Sequence, residues 1–279
     1  MPSAQGRLLL VLTFFSLCTL GGCQATQSAR SYLSAADMAC TGCDDLTHDD
    51  AFRNCRALHL KRLLPKHLLA SYGSAFSAYF ESLPRDEFGS LKREGMTSNN
   101  ENFARHEIDY ERWEVLLPKD PFLQPWLVIQ PQLELILKEA LGADYVLHSL
   151  GSAVADPGAP AQRWHVDHPY LFGDDSWTQH GLAGHDVPPH AVTMLIPLKD
   201  LTSLDGFTQM CVGSSHLAGV SRLANVTDDG ASDPDHWLDS PLFGDLVVNK
   251  RCPARCVRSL TPELGDVVLF ESVVGSRYD

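Results

Sequence analysis

The chain changes character once, at Gly142, and that change constrains its fold more than any other feature. Before it, apolar residues recur at helical spacing. Leu68, Leu69, Tyr72, Phe76, Tyr79, Phe80 and Leu83 follow at three- and four-residue steps, with Pro65 ahead of them and Pro84 behind. At 3.6 residues per turn these positions share one face, so the spacing predicts an amphipathic helix started and stopped by proline. Gln132 to Leu141 predicts a second helix, closed by Gly142. After Gly142 the chain reads as short strands: Tyr145 to Ala155, Ala191 to Leu198, Phe207 to Val212, Leu246 to Asn249, Arg255 to Ser259 and Asp266 to Glu271. Turn signals such as Asp205-Gly206, Gly213-Ser214 and Gly265-Asp266 separate them. Helices first and many short strands afterwards predict an α+β fold, mainly β, with helices packed on a sandwich or barrel. Residues 85–120 read as charged and irregular, and Asp228 to Asp245 as an acidic insertion.

Composition narrows the function classes. With 44% hydrophobic and 20% charged residues, the 279-residue chain is globular, long enough for one well-cored domain. Its net charge of -13 and lack of any basic run exclude nucleic acid, whose binders cluster Lys and Arg over phosphate. There is no G-x-S-x-G elbow of a hydrolase and no glycine-rich phosphate or dinucleotide loop.

The N-terminus reads as an address. Arg7 precedes an apolar run from Leu8 to Leu20, and small residues follow up to Ala25. The run is shorter than the ~20 residues that cross a bilayer, so residues 1–25 are predicted to be a secretory signal peptide, and no membrane span is expected. Leu20-Gly21-Gly22-Cys23 also fits a bacterial lipobox, and a buried N-terminal helix is the structural alternative. Residues 26–50 read as a cysteine-containing lead-in, and 51–279 as the folded domain. Six cysteines then remain: Cys40, Cys43, Cys55, Cys211, Cys252 and Cys256. An even number in an oxidising compartment predicts disulfides, although the Cys40/Cys43 and Cys252/Cys256 spacings also suit a zinc site. Asn225-Val226-Thr227 is a glycosylation sequon, meaningful only in such a compartment.

The residues that carry chemistry are Trp164-His165-Val166-Asp167. His and Asp at i and i+2 share one face of a strand, so imidazole and carboxylate can reach one metal. Such a pair and a distant His make the two-His-one-carboxylate face that holds Fe(II) with open positions. His168, His180, His185, His190 and His216 lie nearby in sequence and are read as ordinary polar residues, Tyr170 and Trp177 as pocket or core aromatics. His148 and Ser149, on the preceding strand, are candidates to face a co-substrate.

The H-x-D is followed in order by the strand Val192 to Leu198, the turn Asp200-Leu201-Thr202-Ser203-Leu204-Asp205-Gly206, the loop Gly213-Ser214-Ser215-His216 and the strand Gly265-Asp266-Val267-Val268-Leu269-Phe270. This series resembles the phytanoyl-CoA dioxygenase family of Fe(II)/2-oxoglutarate oxygenases, over roughly residues 52–272. The resemblance implies a double-stranded β-helix (a cupin-like jelly-roll) with N-terminal helices packed on it. It implies Fe(II) held by His165 and Asp167, 2-oxoglutarate as co-substrate, and hydroxylation of a small organic substrate. The leader separately places the chain in the secretory pathway, and a monomer is expected. Two family features are missing. Eleven residues past Gly265, where the second metal His belongs, stands Ser276, and the Arg that binds 2-oxoglutarate is absent; the last strands are therefore expected to be incomplete. Two readings follow: a truncated copy of an active enzyme, or a catalytically impaired, secreted jelly-roll binding protein of the same family.

Overall fold

A computed structural model describes residues 7–15, 40–83 apart from 41 and 49, 106–109, 112–155, 159, 167, 189–213 apart from 203, 204 and 207, 254–272, 274 and 276–278. In chain order the elements are β1 (Arg7–Phe15), α1 (Ala51–Cys55), β2 (Ala57–Leu60), α2 (Lys66–Ser82), β3 (His106–Asp109), β4 (Arg112–Leu116), α3 (Lys119–Phe122), α4 (Pro125–Val128), α5 (Pro131–Leu141), β5 (Val146–Ala155), β6 (Ala191–Pro197), β7 (Thr208–Cys211), a 3-10 turn (Ala254–Cys256), β8 (Val257–Leu260), β9 (Val267–Glu271) and β10 (Ser276–Tyr278). No helix among the described residues is long and apolar enough to cross a membrane.

The fold is mixed α+β with antiparallel sheets. One sheet has seven strands in the order β2-β9-β6-β1-β5-β4-β3, the other three in the order β10-β7-β8. The pairing is nested about β7 and β8: these two pair antiparallel, and the described strands before and after them, β6 and β9, pair with each other. From β6 onward the chain passes to the small sheet for β7 and β8, back to the large one for β9, and out again for β10. β6 is buried at all seven positions and β9 at all five. Strands covered on both faces need near-continuous apolar runs, which Ala191 to Pro197 and Val267 to Phe270 supply.

Both predicted helices form, and the first turns its predicted face inward. Leu69, Tyr72, Gly73 and Phe76 are the buried residues of α2, and Leu133, Leu137 and Leu141 those of α5. Tyr72 sits edge-on to Phe122 and Trp126, with ring centroids 5.4 and 6.3 Å apart, an arrangement that favours the aromatic quadrupoles. At Gly73, α2 comes so close to the end of β6 that a Cβ would lie 3.3 Å from the Leu198 carbonyl oxygen. Gly142 closes α5 at φ 89.

Gly265 is the more constrained glycine. Its φ is +102, and a Cβ there would lie 3.0 Å from the backbone oxygen of Leu64, whose N–H bonds back to the Gly265 carbonyl at 2.9 Å. Gly265→Ala is therefore expected to destabilise the chain by about 1–3 kcal/mol, through backbone strain and this clash. Urea unfolding against wild type measures it.

The structure adds strands that the sequence reading did not place. The apolar run read as a leader supplies β1, between β5 and β6. Leucine-rich runs suit a leader's core and a fully covered strand equally, so apolarity alone does not separate the two. Residues 85–120, read as irregular, hold β3 and β4, whose charged residues alternate with Trp113 and Val115, both buried. β2 forms where the sequence is mixed apolar and basic. Near the end of the lead-in, Cys40, Cys43 and Leu46 belong to the core. The predicted strand at Leu246 to Asn249 lies outside the described residues.

Candidate functional site

Asp167 is the described half of the H-x-D pair; His165 lies outside the described residues. Asp167 sits in a bend, partly exposed, rather than inside a regular strand. Thr193 Oγ1 donates a hydrogen bond to its Oδ2 at 2.8 Å, and Ser272 Oγ lies 3.0 Å from the same Thr193 oxygen. A threonine hydroxyl has one proton. If it goes to Asp167, Ser272 must donate to Thr193, which directs the chain Ser272 to Thr193 to the carboxylate. Both hydroxyls are fully buried. Two adjacent elements position them: Thr193 in β6 pairs with Phe270 in β9, and Ser272 follows β9 with its N–H on the Ala191 carbonyl at 3.0 Å. The pair thus aims a ready-made donor at one carboxylate oxygen and fixes its orientation.

Backbone register places Ser149 in the same row as Thr193, two strands away: Ser149 pairs with Thr13, and Thr13 with Thr193. Residues in one row point to one face, so Ser149 shares the face of Thr193 at roughly 10 Å across two strand spacings. His148, one residue earlier, is exposed and falls at an irregularity of the β1–β5 ladder, where it has no register partner.

Ser276, at the position expected for the second metal His, is the first residue of β10 and pairs with Met210 in β7. It is fully buried, and its hydroxyl has no hydrogen-bond partner. Beside this region Glu271 is buried at the end of β9, its N–H on the Arg56 carbonyl at 2.9 Å and its Oε2 3.8 Å from Arg56 Nε.

The motifs that flank the site are structural. In the 200–206 turn, Asp205 Oδ2 accepts from Thr202 N at 2.9 Å and Thr202 Oγ1 at 2.7 Å, and Lys199 Nζ pairs with its other oxygen. Burial alone would raise the Asp205 pKa; the Lys199 and Thr202 donors outweigh it and hold the carboxyl at about 2. Asp200 accepts from Leu264 N at 2.8 Å and so ties this turn to the loop before β9. Asp266 accepts from Arg62 N at 2.9 Å and Glu263 N at 3.0 Å, and pairs with His59 Nε2 at 2.9 Å.

The cysteines form disulfides, Cys40–Cys256 and Cys43–Cys55. Each close-spaced pair is thereby split or committed to a bond elsewhere, which removes the thiolates a zinc site would need. Cys211 is also disulfide-bonded. Cys252, Asn225, His168, His180, His185 and His216 lie outside the described residues. His190 is described and buried at the start of β6.

Thr193 and Ser272 escaped the sequence reading. The signal was present: Thr193 is the one polar residue in Ala191 to Pro197, and a lone hydroxyl in a fully covered strand demands a partner.

No family model matches this chain, and no curated relative matches it. A crystal structure of a Pseudomonas putida prolyl-4-hydroxylase aligns with 83% of this chain and 89% of its own, at 14% identity and a TM-score of 0.36.

Proposed function

We propose that this chain is an Fe(II)/2-oxoglutarate oxygenase-type jelly-roll domain of the secretory pathway, built to hydroxylate a small organic substrate, with His165 and Asp167 as metal ligands. The observation that carries this reading is the Ser272–Thr193 hydroxyl relay, which holds and orients one oxygen of Asp167. Oriented carboxylates of this kind are what a metal site needs from the residues behind its ligands. The nested strand pairing and the ordered motifs agree with it. The disulfides fit an oxidising compartment.

The donor set stops short of a complete site. Among the described residues no three His, Cys, Asp or Glu side chains come together as a metal cluster. Ser276 offers a neutral hydroxyl where an imidazole is required, and a hydroxyl is a far weaker ligand for Fe(II). This observation favours a second reading, a secreted jelly-roll protein that binds a small molecule without oxidising it.

The test is anaerobic Fe(II) titration of the purified full chain, with succinate formation from 2-oxoglutarate followed alongside. Wild type is expected to bind Fe(II) weakly. Asp167→Ala and His165→Ala should abolish binding, and Thr193→Val should weaken it about 10- to 100-fold, the usual cost of losing a group that orients a ligand. Ser276→His should tighten binding. Succinate release by the wild-type chain would favour the enzyme, and its absence with retained metal the binding protein. Metal binding unchanged in both ligand variants would overturn the assignment altogether.

A further inference from the structure

Strand β1 is the odd member of the large sheet. β6, β9, β7 and β8 form a nest in which each pair closes around the one before. β1 enters this arrangement from the far end of the chain and lies between β5 and β6. It pairs with β5 from Arg7↔Ala155 to Phe15↔Val146, and with β6 from Leu9↔Pro197 to Phe15↔Ala191. Both pairings are antiparallel. β5 and β6 therefore run parallel to each other, about 10 Å apart across two strand spacings. They cannot close the gap by extending either existing ladder, because the missing strand must oppose both.

The slot is also chemically selective. β6 is buried at all seven of its positions, so it is unsuited to a water-facing edge with unpaired N–H and C=O groups. Within β1, Leu10 and Leu12 are fully buried while Val11 between them is only partly so. The slot thus takes apolar side chains at alternate positions and backbone bonds on both sides. These are the requirements of strand addition, in which main-chain bonds supply affinity and alternate side chains supply specificity.

We infer that the space between β5 and β6 is a strand-acceptor site whose occupant is residues 7–15 of this chain, and that cutting the chain after Ala25 opens it. The leader and the sheet then draw on one segment, and processing of the N-terminus decides whether the acceptor is filled. This inference does not depend on the metal chemistry proposed above.

Two measurements test it. In the full chain, Val11→Cys with Leu195→Cys joins two positions registered across β1 and β6. Mass spectrometry of the non-reduced protein is expected to find this cross-link, and its absence would overturn the placement of the strand. Separately, a chain of residues 26–279 is titrated with a labelled peptide of residues 7–15, flanked by lysines for solubility. Saturation at one peptide per chain and a raised melting temperature are expected. The same peptide carrying Leu10→Lys and Leu12→Lys should bind at least tenfold more weakly. The inference falls if the 26–279 chain melts where the full chain does and ignores the peptide. It falls equally if that chain fills the slot with a second copy, seen as a dimer that peptide does not dissociate. Should residues 26–279 fail to fold, the cross-link in the full chain decides.

Discussion

Replacing Cys40 and Cys256 with serine is expected to remove about 5 kcal/mol of stability, most of what a domain of this size holds in reserve. The bond joins positions 216 residues apart. In the chain-entropy view, a cross-link stabilises by restricting the unfolded chain, and the restriction grows with the logarithm of the loop it closes. The same arithmetic gives about 3 kcal/mol for Cys43–Cys55, which spans 12 residues. The ranking is a sharper test than either value. Denaturant unfolding of the two double-serine variants, without reductant, should place the Cys40/Cys256 variant lower. Equal losses would mean that local packing, not loop closure, sets the contribution. Local packing is substantial here: Arg258 donates to the Cys43 carbonyl at 2.7 Å and to Asp44 Oδ1 at 2.6 Å, and Cys40, Cys43 and Cys55 are all buried.

Asp266→Ala is expected to cost about 3 kcal/mol or more. Asp266 is almost fully buried and fastens the loop after β2 to the turn before β9 through the N–H groups of Arg62 and Glu263 and the His59 ring. Truncation leaves these part-buried donors without their acceptor, and the penalty for such orphans exceeds the worth of the bonds themselves. The wild-type residue also makes a pH signature. Burial pushes the Asp266 carboxyl upward, but the two backbone donors and His59 outweigh it and hold the pKa below its ordinary 3.8. A carboxyl depressed on folding contributes stability that is fully present above the unfolded value. That contribution is lost as pH falls below 3.8 toward the lower folded value. Unfolding free energies measured from pH 6 to pH 2 should therefore fall more steeply for wild type than for Asp266→Asn in the acid limb. Parallel curves would refute the role assigned to this carboxylate.

What could be read from sequence follows from which interactions are local. The α2 and α5 helices were legible because their buried faces repeat within a few turns and their ends carry Pro65 and Gly142. The strands β5, β6 and β9 were legible as apolar runs between turn signals. β3 and β4 were not, because the charged residues interleaved in their sequence mask the buried Trp113 and Val115. β1 was legible as an apolar segment and illegible as a strand, since its partners lie at positions 146–155 and 191–197. At the candidate site, His165 and Asp167 stood out by spacing. Thr193 and Ser272 did not, since a relay between residues 79 positions apart leaves no pattern in either segment.

The register of β2 with β9 has a consequence for synthesis. Ala57 pairs with Phe270, and Leu60 with Val267. A ribosome that has just released β2 must translate some two hundred further residues before its partner exists. Through that interval the apolar side chains of Ala57, Leu58 and Leu60, all buried in the finished sheet, have no native cover. Folding on this plan is not vectorial from the N-terminus, because the β2 edge of the large sheet closes only once β9 has been made.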